Sequence, residues 1–473
     1  MGVAMKNKIW RGGRAILLAG TLGLAAVSAK AENLADALAS AYNTSGLLEQ
    51  NRALLRAADE DVGIAVARLR PVLDFLIRVQ RTYNKAGVNS IVTSRSNSNP
   101  MAAQLSLDWL LFDNGQSRLL QEAAKATVLA TRQQLLGFEQ QVLFRAIAAY
   151  LNVLLQQESV RLQGNNLRVL GEELRAAQDR FAVGEVTRTD VALAQSRVAE
   201  ARANLVAARG ALENARAEYT AVVGRPPQNL SPVPRLPAPP ASVASATAVA
   251  LRQHPDIIAA QYAVESNELQ VRASSAGLGP KLNAGAQIGL TELLDNSGYS
   301  RDATASLTLS QRIYQGGALN AGVRKAMAQR DASRANLLTV QKNVRQDVDD
   351  AFVRLQVAQA SLAATSEQIR AARVAFDGIR EEATLGARTT LDVLAAEQDL
   401  LDAETARISA ASERSIALYQ LLLVQGVLTA EQLGLAVQLY DPTLYYNLAK
   451  TAPAGTSKQS KDLDRVLKAL GRN

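Results

Sequence analysis

The chain has 473 residues, aromatics make up only 4% of it, and it holds no cysteine and a single histidine, His254. That excludes a disulfide, a thiolate metal site, a cysteine nucleophile and a lipid-modified N-terminal cysteine, and nearly excludes histidine chemistry. The net charge of +8 sits at the ends, with five basic and no acidic residues in 1–31, five against two in 451–473, and 42 against 42 between, so no nucleic-acid partner is expected.

The chain opens on Lys6, Lys8, Arg11 and Arg14, an apolar run over 15–27, and Ala29-Lys30-Ala31. That order predicts a secretory signal peptide, 1–31, cut after Ala31. Past it, no apolar run is long enough for a transmembrane helix, so a membrane crossing would have to be a closed β-barrel.

Helical periodicity over 33–69 stops at Pro71. Two alternating runs follow. In one, Leu73, Phe75, Ile77, Val79 and Tyr83 interleave with Asp74, Arg78, Gln80 and Thr82; in the other, Leu105, Leu107, Trp109 and Leu111 interleave with Gln104, Ser106 and Asp108. Period two gives each strand one greasy and one polar face, which suits a half-buried soluble sheet or a membrane barrel with a wet interior. Each run is about 10 residues, the length of a tilted barrel strand. A polar loop, 84–100, joins them.

A helical run over 116–183 comes next, about 100 Å long at 1.5 Å per residue. It breaks in GEVTRTDV, 184–191. Gly184 suits a left-handed helix end, and Thr187 with Asp190 three residues on reads as a capping box. Val191, Ala194, Val198, Ala201, Leu205, Ala208, Leu212 and Ala215 then alternate spacings of three and four. This is a heptad seam and predicts a coiled coil, with a bundle core as the plainer alternative.

The stretch 225–240, RPPQNLSPVPRLPAPP, holds seven of the 13 prolines and reads as an extended connector. Beyond it the first half recurs at an offset of 202 residues. Leu105 matches Leu307, Phe112-Asp113-Asn114-Gly115 matches Tyr314-Gln315-Gly316-Gly317, and Gly224 matches Gly426. A helix over 246–278 ends at Pro280, strands carry Leu282 to Leu290 and Leu307 to Ile313 with a polar loop 292–304 between, and a long helical run covers 318–385. GARTTLDV, 386–393, repeats the tip with Gly386, Thr389 and Asp392. His254-Pro255 starts a helix with proline in its first turn and is assigned no catalytic role. Twenty residues separate Asn51 from Pro71 but 26 separate His254 from Pro280, so the first repeat is expected to be about six residues, near two turns, shorter ahead of its strands.

The chain thus divides into a signal peptide, 1–31; a first repeat, 32–224, with strand pair 71–112 and tip 184–190; a linker, 225–242; and a second repeat, 243–426, with strand pair 280–314 and tip 386–392. A closing segment, 427–450, and a basic tail, 451–473, follow. The tail is expected to be disordered, with at most a short amphipathic helix at 463–470. Four strands cannot close a barrel, for which about eight is the lower limit, so several chains would have to share one.

The junctions FDNGQ (112–116) and YQGGA (314–318), the paired tips and the C-terminal LYDPTLYYN (439–447), in this order and duplication, resemble the TolC family of outer-membrane efflux and secretion ducts. The resemblance implies an α+β membrane protein of the Gram-negative outer membrane. Three chains of a homotrimer would each give four strands to a 12-stranded β-barrel, continued by a long periplasmic α-helical coiled-coil barrel. It implies a passive exit duct for efflux or type I protein secretion, in contact with outer-membrane lipid. Its partners would be a periplasmic adaptor and an inner-membrane ABC or proton-driven transporter.

By the same resemblance, Thr189 and Asp190 match the acceptor side of a latch between neighbouring hairpins, and Arg388 matches the arginine that engages them. Asp392 matches an aspartate facing the lumen, where three carboxylates in a ring would attract cations. Gly184, Thr187, Gly386 and Thr389 shape the tips that an adaptor would meet. Ala383 stands where the family has a bracing tyrosine and Ala395 where it has a second lumen aspartate, which implies a looser gate and a weaker cation site. No catalytic residue, cofactor or structural metal is expected, and with no GxxxxGK[ST] motif the energy would come from the transporter. A wholly periplasmic coiled-coil adaptor is the alternative reading, but it leaves the alternating strands with no lipid to face.

Overall fold

A computed structural model describes residues 32–88, 92–232, 236–294, 298–453, 455 and 457–469. The expected signal peptide lies outside these residues.

Asn33 and Asp36 close a capping box at the start of α1 (Leu34–Thr44), and Ser45 ends that helix and caps α2 (Gly46–Ala67). Strands β1 (Val72–Val79), β2 (Thr82–Val88), β3 (Val92–Ser98) and β4 (Pro100–Phe112) follow. Asn114 and Gly115, at φ 57° and 81°, turn the chain into α3 (Gln116–Ala182), and α4 (Arg188–Val223) runs back beside it. The second half gives α5 (Val243–Gln253), α6 (Pro255–Ala276), β5 (Lys281–Leu293), β6 (Tyr299–Ser310), α7 (Ala318–Thr384) and α8 (Thr390–Val424). Helices α9 (Pro442–Ala449) and α10 (Lys458–Ala469) close the chain. The fold is therefore mostly helical with a smaller sheet, and α3 and α7 have 67 residues each. No described helix is long and apolar enough to cross a membrane.

The main sheet is antiparallel in the order β1-β4-β5-β6. Its register puts Leu73 opposite Leu107, Phe75 opposite Leu105, Leu105 opposite Ile288, Ala284 opposite Leu307 and Leu282 opposite Leu309. Because side chains alternate along a strand, these residues share one face. Asp74, Ser106, Gln287 and Thr304 pair along the other. The apolar face stays open: Phe75 is 68% exposed and Leu307 67%.

Four expectations need correction. The helix expected over 33–69 is two helices, and α2 and α6 each have 22 residues. Asn51 is not the counterpart of His254. Ser45 is, since each caps its helix 26 residues before the terminating proline. The loop 84–100 is largely ladder, with β2 paired to β3 from Thr82↔Ser98 to Val88↔Val92, which satisfies backbone groups that a loop would leave to water. The tail 451–473 is not simply disordered, because α10 buries Leu463 against Tyr445 and Ala449 of α9.

The largest core joins α1, α2, α3, the end of α4 and residues 428–435. Glu32 fastens it. Its carboxylate accepts from Tyr219 Oη and Arg225 Nη2, both at 2.7 Å. Tyr150 Oη donates to the carbonyls of Glu32 (3.1 Å) and Ser231 (2.6 Å), tying in the linker. The heptad seam of α4 is buried from Ala194 to Ala215, with Val191 half-buried at its start. His254 caps α6 by accepting from Asp256 N at 3.2 Å, and burial lowers its pKa, so the ring is neutral.

Candidate periplasmic gate at the hairpin tips

Each long helix ends in the same way. Gly184 N donates to Phe181 O (3.0 Å) and Glu185 N to Arg180 O (2.9 Å); Gly386 N donates to Ala383 O (3.2 Å) and Ala387 N to Glu382 O (2.9 Å). These paired bonds are Schellman motifs and need a left-handed residue, supplied by the two glycines at φ 82° and 79°. The N-cap of the next helix follows three residues later. Thr187 N and Oγ1 donate to Asp190 Oδ2 at 2.8 and 2.7 Å, and Asp190 N donates back to Thr187 Oγ1. Thr389 and Asp392 repeat the box at 3.0 and 2.9 Å.

The boxes also set charge. The Thr187 hydroxyl, helped by its N–H, holds the Asp190 carboxyl below the usual range. The Thr389 N–H and hydroxyl do the same for Asp392, with Arg388 adding to the effect. Both aspartates are ionised at neutral pH, at the positive ends of their helices.

Arg388 is exposed and donates through Nε to Glu382 Oε2 at 2.8 Å, within its own tip. Within one chain it contacts neither Thr189 nor Asp190. Thr189 is exposed. Ala383 is buried among Phe376, Val393 and Ala396, and Ala395 is exposed.

Above the tips lies a polar seam that sequence reasoning missed. A cavity of about 200 Å³ between α3, α7 and α8 is lined by Asn165, Asn166, Arg373, Asp377, Glu397 and Glu404 among others. Glu397 is 7% exposed, and its Oε2 has no partner. Burial, reinforced by Glu173 and Glu404, pushes its pKa up to about 7. Two ion pairs flank it, Arg380 Nε to Glu173 at 3.2 Å across α7 and α3, and Arg373 to Glu404 at 2.6 Å across α7 and α8. The signal was present: Leu394, Glu397 and Leu401 follow the three-four spacing, so a carboxylate stands at a core position of α8.

The family profile of outer membrane efflux proteins matches residues 37–225 and again 247–427. The outer membrane efflux protein BepC of Brucella suis is 36% identical over 438 residues, covering 92% of this chain and 94% of the relative. The alkaline protease secretion protein AprF of Pseudomonas aeruginosa is 28% identical, covering 70% of each chain. The outer membrane protein TolC of Escherichia coli is 26% identical, covering 84% of this chain and 81% of that one. Among solved structures, the Campylobacter jejuni CmeC outer membrane channel superposes with a TM-score of 0.74 at 16% identity, covering 90% of this chain and 91% of that chain. From helix order, sheet and relatives together, this chain belongs to the family of outer membrane efflux proteins that includes TolC, and it is an exit duct of the Gram-negative outer membrane.

Proposed function

We propose that three copies of this chain close one twelve-stranded barrel in the outer membrane and extend into the periplasm as a barrel of coiled coils. The observation that carries this is the main sheet. It has four strands, one apolar and one polar face, and two edges, β1 and β6, that are exposed along their whole length. An open edge with a greasy face calls for another chain, and closure removes the edge. Apart from the extra β2–β3 ladder in the first half, the two halves give the same elements in the same order, which supports an internal duplication. The first repeat would span 32–224 and the second 243–426, joined by the linker, with 1–31 removed on export.

The duct is passive and catalyses no reaction. A periplasmic adaptor would meet the tips at Gly184, Thr187, Gly386 and Thr389, and an inner-membrane transporter would supply the energy. Two relatives carry names that refer to protease secretion, which favours type I secretion beside efflux. At the entrance Asp190 and Thr189 would receive Arg388 of a neighbouring tip, in competition with Glu382. Light scattering of the detergent-purified protein is expected to give three chains per particle, and a monodisperse monomer would refute the assembly. Arg388→Ser is expected to raise single-channel conductance; an unchanged value would remove the latch.

A further inference from the structure

Four cations stand in one row on the outer face of α10. Lys458, Lys461, Arg465 and Lys468 are all exposed and recur at spacings of three, four and three, so they share one side of the helix. The opposite side presents Leu463 and Val466 to α9. Asp464 lies on one flank and Asp462 on the other, where it pairs with Arg465 at 3.0 Å. Among the described residues, no carboxylate pairs with Lys458, Lys461 or Lys468.

A chain of contacts leads from this helix to the strands. Thr451 Oγ1 donates to Gln459 Oε1, in the first turn of α10, at 3.2 Å. The carbonyls of Thr451 and Ala452 accept from the guanidinium of Arg70, the second at 2.6 Å. Arg70 is followed by Pro71 and β1. Helix α9 climbs α2 in the same direction. Tyr445 Oη bonds Glu60 at 2.7 Å, and the Ala449 carbonyl lies 3.0 Å from where a Cβ on Gly63 would stand. Arg68 and Arg70 are themselves exposed. Beside them Trp109 Nε1 donates to the Leu69 carbonyl at 3.2 Å, so an aromatic marks the same level.

We propose that α10 is an electrostatic collar that binds the phosphate headgroups of anionic glycerophospholipids in the leaflet facing the periplasm. The proposal rests on the reading of the four-stranded sheet as the part inside the membrane. The row is complementary in charge to such a surface and stands beside the ends of the strands. Attraction of this kind acts within about a Debye length, roughly 8–10 Å, so a helix must be held at the surface to use it. The Arg70 and Gln459 contacts hold it there.

The test is amide hydrogen exchange of α10 in the full-length protein, in nanodiscs of phosphatidylcholine alone or with phosphatidylglycerol. The expected result is exchange roughly tenfold slower in the anionic discs, with the difference lost at high salt and in K458Q/K461Q/R465Q/K468Q. That variant leaves the apolar face untouched, and its unchanged exchange in neutral discs shows that the helix is intact. Equal exchange in both compositions overturns the collar. Protection that persists in detergent without lipid overturns it too, because another protein surface is then the contact. If the protein does not enter discs at all, the membrane reading falls and the collar with it; entry without an effect of lipid charge sinks the collar alone.

Discussion

A single carboxylate makes the seam above the tips sensitive to pH. Glu397 of α8 faces Glu173, Asn165 and Asn166 from α3, Arg373, Arg380 and Asp377 from α7, and Glu404 from its own helix. Its folded pKa of about 7 lies above its ordinary value of 4.5. The folded seam therefore holds a proton that the separated one releases. The stability this confers is complete below the ordinary value and is lost as pH rises through about 7. Hydrogen exchange in α8 near residues 394–401, corrected for intrinsic rate, is expected to be faster at pH 8 than at pH 5.5. Glu397→Gln removes the charge and should remove the difference; a variant with the same pH slope would show that another group is responsible. Glu32 matters as a hydrogen-bond acceptor. Glu32→Ala leaves the buried Tyr219 hydroxyl without its partner, at a cost of about 1–3 kcal/mol, seen as a lower melting temperature.

At the scale of elements, both tips are built from the same two devices, a left-handed glycine and a threonine–aspartate box. Thr187→Ala or Thr389→Ala is expected to cost about 1 kcal/mol locally and to speed exchange in the first turn of α4 or α8. No change in exchange would mean that neighbouring chains, not the caps, hold the tips. These devices were legible in the sequence because they are local: Gly184, Thr187 and Asp190 act on residues at most four away. The heptad seam of α4 was legible for the same reason. The β2–β3 ladder was not, because its strands are polar and carry no strong alternation. The break at Ser45 was also hidden, since serine differs from its counterpart His254 and only the equal spacing to Pro71 and Pro280 aligns them. For Glu397 the three-four spacing with Leu394 and Leu401 marks a core position, but that three helices meet there is recorded by no local pattern.

For the whole molecule, the proposed trimer makes the function depend on what three copies of a tip do together. Asp392 is held ionised by bonds to Thr389, so a ring of three would stay negative at any pH above the ordinary carboxylate range. Such a ring draws in cations, and a trivalent one should bind well enough to obstruct the passage. Two features of this chain weaken the effect. Ala395 supplies no second ring, and Arg388 stands close enough to Asp392 to offset part of its charge. In planar bilayers a trivalent cation in the periplasmic-side chamber is therefore expected to block the conductance at low salt and less so at high salt. Asp392→Asn should abolish the block. Arg388→Ser should strengthen it while raising the unblocked conductance, since it removes both the proposed latch and a compensating charge. Block that survives Asp392→Asn would move the cation site elsewhere, and Asp190 would be the next residue to replace. A conductance that no cation affects would leave an exit duct whose entrance is controlled only by the contacts between its hairpins.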